Sequence, residues 1–206
     1  MELTTAQNDA LTELINIGYG RAAGALSELT GYRIMLEVPQ VAMHDIGELP
    51  GLLAPLVRGD VASVNQVFSG PISGNALLLL DEPSALMLSR LLMDENSAPA
   101  EFDAGAREII IEVGNILLNA CLGVFGNLLQ VQVSFAVPRL HIDGVQHVLR
   151  SITIESQEKL RYALMIHTQF RLRASNVTGY LVIILGITSL DRMLQELAKW
   201  EGRQTA

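Results

Sequence analysis

Apolar and polar positions along this chain follow a helical period and then an alternating one, and they do so twice in the same order. Thr4 can cap a first helix, with Gln7 three residues on as its capping-box partner. That helix is predicted to run to about Thr30, where Gly31 offers a stop. Residues 33–41, RIMLEVPQV, read as a strand carrying Pro39, and the Gly- and Pro-rich stretch HDIGELPGLLAP after it reads as a loop. Leu56–Phe68 and Ile72–Leu80 read as strands joined by the turn Ser69-Gly70-Pro71, and Asp81 caps a helix through about Met93. The polar stretch at 94–100, DENSAPA, is the predicted linker.

Beyond that linker the pattern restarts. A long helix is expected over about Asp103–Leu129, then a strand at 131–139, VQVSFAVPR, carrying Pro138. Leu160–Leu172 alternates, with Leu160, Tyr162, Leu164, Ile166, Phe170 and Leu172 on one face and Arg161, His167, Gln169 and Arg171 on the other. Ser175–Gly179 reads as a turn and Tyr180–Leu185 as a buried strand. Thr188 with Asp191 opens a last helix through about Trp200, with Gly202 as its stop. A shift of 99 residues lays Glu13 on Glu112, Asn16 on Asn115, Gly24 on Gly123 and Val38-Pro39 on Val137-Pro138. A shift six residues larger lays Ser73–Leu80 on Thr178–Leu185. This is the pattern of an internal duplication. Two halves, about 1–94 and 101–202, are too small and too closely joined to be free domains, so a single domain over 1–206 with one shared core is expected.

Each predicted long helix carries one thin polar line. In the first it is Asp9, Glu13 and Asn16, with Gly20 one turn later; in the second it is Glu108, Glu112, Asn115 and Asn119. The bland explanation is a solvated face, and a buried Asn that pins helix register is another. Two features favour chemistry. The same Glu-x-x-Asn pair recurs in both halves, and Asn is a poor helix former where Glu, Lys or Gln would serve solvation better. No His, Ser or Cys lies beside either pair to make a nucleophile with its base. What remains within reach is an Asn that holds a water by hydrogen bonds and a Glu that pairs with a partner's cation. Such a pair suits a protein that completes another protein's active site. Small residues in the first helix (Gly18, Gly20, Ala22, Ala23, Gly24) permit close packing, read here as packing on the chain's own core rather than a homodimer seam.

Composition narrows the choice. Half of the 206 residues are hydrophobic and 17% are charged, too apolar for a disordered chain. The net charge is −8 without a Lys/Arg run, which argues against nucleic acid or an anionic membrane surface as partner. Ile109–Phe125 approaches spanning length, but Glu112, Asn115 and Asn119 interrupt it, so a buried helix is expected and no membrane insertion. The polar start at Met1–Ala10 suggests no secretory signal, and a cytoplasmic location is the default. Cys121 is the only cysteine, which excludes a disulfide framework. His44, His141, His147 and His167 lack ligand spacing, so no metal or other cofactor is expected on this chain. No glycine-rich loop leads into a Lys-Ser/Thr, so nucleotide binding is unsupported.

The pattern Asp/Ser-x3-Glu-x2-Asn-x22-Pro, present as Asp9, Glu13, Asn16, Pro39 and again as Glu108, Glu112, Asn115, Pro138, resembles the CheC/CheX/FliY phosphatases of bacterial and archaeal chemotaxis. The resemblance covers essentially the whole chain. It implies an α+β fold with pseudo-two-fold symmetry, the two motif helices exposed side by side on one face of a β-sheet core. It also implies a phosphorylated CheY-like receiver as substrate. Glu13 and Glu112 would then pair with the receiver's active-site lysine, Asn16 and Asn115 would orient the attacking water, and Asp9 and Glu108 would contact the partner. Mg2+ would belong to the receiver and not to this chain, and the receptor deamidase CheD becomes a further candidate partner. The second copy departs from the pattern at Glu108, which keeps the charge on a longer arm. Pro39 and Pro138 are read as structural, at strand edges or ends where a missing N–H is tolerated. The alternative is a non-catalytic adaptor of the same fold that grips a receiver or CheD.

Overall fold

The Thr4 side chain accepts from the Gln7 N–H while the Gln7 side chain accepts from the Thr4 N–H, so the predicted capping box launches α1 (Thr5–Thr30). Gly31 ends α1 in the left-handed region at φ 72°, where a side chain would be strained. The computed structural model describes residues 3–57, 59–93, 101–128, 130, 132–155, 160–172 and 175–204. After α1 come β1 (Ile34–Asp45), a 3-10 turn (Ile46–Glu48) and the short α2 (Leu49–Leu53). The hairpin of β2 (Asp60–Ser69) and β3 (Gly74–Asp81) follows, then α3 (Glu82–Leu92), capped by Asp81 as predicted. The second half supplies α4 (Ala104–Leu128), the two-residue β4 (Ser134–Phe135), β5 (Arg139–Gly144) and α5 (Val145–Glu155). It closes with the hairpin of β6 (Leu160–Leu172) and β7 (Ser175–Gly186), and with α6 (Ile187–Gln204).

One sheet runs through the molecule in the order β1-β6-β7-β3-β2, with β4 and β5 both on the free edge of β2, and every pairing is antiparallel. Helices and an antiparallel sheet in this arrangement are the expected α+β class. Each half lends its first long strand to the other half's hairpin: β1 pairs with β6, and β5 pairs with β2. Helices α1, α3, α4 and α6 cover one face of the sheet, burying residues such as Leu14, Leu88, Leu117 and Leu197 against Val64, Leu78, Ile166 and Leu181. Helices α2 and α5 cover the other face, where Leu49, Leu53, Leu149 and Ile152 meet Leu77, Leu79, Val182 and Ile184. A central strand covered on both faces needs no polar alternation. That explains the runs LLLL in β3 and LVIIL in β7.

Several expectations are corrected. The stretch after residue 41 is not a loop: β1 continues to Asp45, whose carboxylate caps the 3-10 turn, and α2 follows because Leu49 and Leu53 lie one turn apart and both bury. The strand placed at 131–139 is broken. Among the described residues of that stretch the ladder covers Ser134 and Phe135, with the Ala136 N–H donating to the Val67 carbonyl; Val137 is 83% exposed, Pro138 has no N–H to give, and pairing resumes at Arg139. Ser175–Gly179 is strand rather than turn, since Ser175 already pairs with Leu172 and Val177 is buried. α6 passes through Gly202 to Gln204. The linker at 94–100 lies outside the described residues. By length and composition α4 could cross a membrane, yet Ala106, Ile110, Val113, Leu117 and Leu118 are all spent in the core.

Candidate functional site

Helix α1 buries Leu11, Leu14, Ile15, Gly18, Tyr19, Ala22 and Leu26, and on the opposite side it exposes Asp9, Glu13, Asn16 and Gly20. Helix α4 buries Ile110, Val113, Leu117, Leu118 and Cys121; Glu108 and Glu112 are exposed, while Asn115 and Asn119 are half-buried. The two helices touch directly. A Cβ built on Gly18 would stand 2.9 Å from the Cys121 Cα, so only glycine permits this approach. They run antiparallel, because Leu26, Leu29 and Thr30 near the end of α1 share a cleft of about 420 Å³ with Gly105, Glu108, Ile109 and Glu112 near the start of α4. The second polar line therefore rims an apolar hollow made partly by the first helix. Burial pushes the Cys121 thiol, in the seam between the two helices, far above its ordinary range.

All four motif carboxylates (Asp9, Glu13, Glu108, Glu112) face solvent, and among the described residues none has an ion-pair partner. Like charges one helical turn apart, as in Asp9/Glu13 and Glu108/Glu112, repel by a few tenths of a kcal/mol. The arrangement is ready for a cation that none of the described residues supplies.

The two asparagines differ in their surroundings. Asn119 Nδ2 donates to Asn115 Oδ1 at 2.7 Å. Gln66 Nε2, from β2 beneath, donates to Asn119 Oδ1 at 3.0 Å and also to the Ala136 carbonyl at 3.0 Å. Gln66 is 1% exposed, and among the described residues its Oε1 has no partner. Among the described residues no hydrogen bond reaches the Asn16 side chain. One turn beyond it stands Gly20, with no atom within 4 Å of where its Cβ would be. Asn119 was legible as part of the polar line. Gln66 was missed, although a Gln interrupting the buried series Ala62, Val64, Gln66, Phe68 on alternate positions was a visible signal.

The remaining candidates stand apart from the stripes. Pro39 lies in the edge strand β1 where the register with β6 shifts between Glu37 and Gln40, and Pro138 immediately precedes β5; neither is on a motif helix. His44 approaches Glu48 and His147 approaches Asp143, and among the described residues no three His, Cys, Asp or Glu side chains gather as a metal would require.

No family model matches the chain. It is 26% identical to the CheY-P phosphatase CheC of Bacillus subtilis (strain 168) over 166 residues, 79% of this chain and 78% of that protein. Its fold is that of Thermotoga maritima FliY, with a TM-score of 0.78 at 18% identity over 97% of this chain and 100% of the other. A chain of the FliM–SpeE complex from H. pylori superposes with a TM-score of 0.69 at 16% identity, covering 97% of this chain and 98% of that one.

Proposed function

From a chain that is a homologue of CheC and carries the fold of the CheC/CheX/FliY family, we propose a phosphatase that removes the aspartyl phosphate of a CheY-type receiver. The observation that carries the reading is the same carboxylate–carboxamide pair on each of two adjacent helices, Glu13/Asn16 with both members exposed and Glu112/Asn115 with the carboxylate exposed and the carboxamide half-buried. Glu13 or Glu112 pairs with a lysine of the receiver and seats it. Asn16 or Asn115 then reaches the phosphoryl group and accepts a hydrogen bond from a water, aligning it for attack on phosphorus opposite the aspartate oxygen. The new P–O bond forms as the bond to the carboxylate breaks, giving inorganic phosphate and a free aspartate. Any Mg2+ in the reaction belongs to the receiver in this proposal. The helix does no covalent chemistry; placing the water accounts for the acceleration. Such a substrate would put the reaction in the cytoplasm. The sheet order, which reads the same when the two halves are exchanged, supports treating the sites as copies from an internal duplication.

The likeness to a chain of the FliM–SpeE complex gives the second reading its footing, an adaptor that binds a receiver or CheD without hydrolysis. Decay of a phosphorylated CheY-type receiver, followed with and without this chain, separates the two. Wild type is expected to accelerate decay, Asn16→Ala and Asn115→Ala to lose part of the effect, and the double variant to lose nearly all of it while still binding. Unchanged decay with receivers that demonstrably bind would refute the phosphatase and leave the adaptor.

A further inference from the structure

We infer that Asn119, anchored by the buried Gln66, is a positioning residue that fixes which way the Asn115 carboxamide points, and that the Asn16 site has no such device. The inference rests on the reading of Asn115 as the water-orienting group. The direction of the relay is set by a main-chain atom. The Ala136 carbonyl can only accept, so the Gln66 atom 3.0 Å from it is the amide nitrogen. That same nitrogen faces Asn119, which must present its oxygen. The Asn119 nitrogen is thereby turned toward Asn115 and donates to its oxygen at 2.7 Å. Asn115 is left with a fixed plane, with both N–H groups free among the described residues and one acceptor lone pair on Oδ1 for a water.

A packing role does not account for Gln66. Its Oε1 is buried without a partner among the described residues, which disfavours folding, and an apolar residue would fit the sheet better. The equivalent position in the other hairpin has one: Gln66 pairs across to Ala76, and Ile166 pairs across to Leu181, the counterpart of Ala76. Ile166 is fully buried on the helix side. In the helices the same contrast holds, with Gly20 standing 99 positions before Asn119. The relay is thus absent from the first site on both the strand and the helix. A carboxamide already held in orientation loses less freedom when the receiver docks, so the Asn115 site turns over faster than the Asn16 site.

The test uses the full chain with Asn16→Ala, so that only the second site works. Asn119→Asp keeps an acceptor for Gln66 but offers Asn115 no donor; Gln66→Met removes the anchor with an apolar side chain of similar length. Each is expected to lower kcat for receiver dephosphorylation about fivefold, the worth of one neutral hydrogen bond, with KM unchanged. In the unmutated chain, nitrogen relaxation of the side-chain amides is expected to show Asn115 more ordered than Asn16. In Gln66→Met the Asn115 amide is expected to fall to the Asn16 level, while in Asn119→Asp it is expected to turn over and donate to the carboxylate, which points its oxygen the wrong way. An Asn115 amide that stays ordered in Gln66→Met would overturn the inference whatever the enzymology, and so would a raised KM at constant kcat, which would make Asn119 a docking residue. A loosened Asn115 amide in a protein that accelerates no receiver's decay would refute the phosphatase reading and leave the relay standing.

Discussion

Gly18 is where the two motif helices meet, and replacing it with alanine tests that contact directly. The added Cβ would lie 2.9 Å from the Cys121 Cα, 3.3 Å from its Sγ and 3.4 Å from its N. Unstrained carbon–carbon contacts sit near 3.5–4.0 Å. Two of the three crowded atoms are backbone, so no rotamer change relieves them, and α1 and α4 must part by roughly half an ångström. Overpacking of this kind costs about 1–3 kcal/mol. Against it, Gly→Ala within a helix returns up to about 1 kcal/mol. The net expectation is a loss of up to about 2 kcal/mol, or a Tm lower by up to about 4–8 °C for a chain of this size. Gly20→Ala is the control, two residues along the same helix, exposed, with nothing within 4 Å. It gains the same propensity without the clash and should stabilise by up to about 1 kcal/mol. Urea unfolding followed by circular dichroism, with both variants beside wild type, gives the comparison. Gly18→Ala equal to or more stable than Gly20→Ala would refute the argument, because it would mean the helices can separate at no cost. Adding Cys121→Ala to Gly18→Ala should restore little, since it removes only the sulfur.

Two other buried groups give further expectations. The Tyr19 hydroxyl is hydrogen-bonded to the Thr168 hydroxyl deep in the core, and among the described residues that hydroxyl's other bond is a long one of 3.4 Å to the Ile166 carbonyl. Tyr19→Phe should therefore cost about 1–3 kcal/mol in urea unfolding. The Cys121 thiol, held neutral by burial, should not react with a disulfide reagent in the native protein, and one thiol per chain should appear on unfolding. Burial raises both Tyr19 and Cys121, so the folded chain keeps protons that the unfolded chain gives up. That stability is fully present below about pH 8.5, where an unfolded cysteine begins to ionise, and it falls as the pH rises further. The urea midpoint should be lower at pH 10 than at pH 8, and a higher one would contradict the assignment.

Much of this was legible because local chemistry agreed with the final packing. Thr4 with Gln7, Gly31 and Asp81 set helix ends by hydrogen bonds within a few residues, and they needed no knowledge of the rest. The polar lines on α1 and α4 were readable because their other faces are so uniformly apolar. What failed depended on distant partners. Leu49 and Leu53 form α2 only because a second helical layer packs on the back of the sheet. Ser175–Gly179, polar and glycine-containing, is strand because β6 pairs with it residue for residue from Thr168 to Leu172. The strand at 131–139 broke for a local reason, Pro138 beside the exposed Val137, but where pairing would resume depended on β2. The relay beneath Asn115 joins residues from β2, α4 and the segment before β5, and no spacing rule connects them.

The lending of strands between halves also sets an order in time. Asp45 must wait for Tyr162, and Ile34 for Leu172, before the edge formed by β1 has a neighbour. A ribosome delivers the first half long before the second, so during synthesis the β2–β3 hairpin exists with neither β5 nor β7 beside it, and β1 exists with nothing beside it at all. Pairings this far apart in sequence close slowly, and unpaired edges in the interval invite association with other chains. Each half made alone carries an orphan strand together with a vacancy shaped for the other half's strand. Two separately made halves should thus find one another far more readily than either can fold by itself.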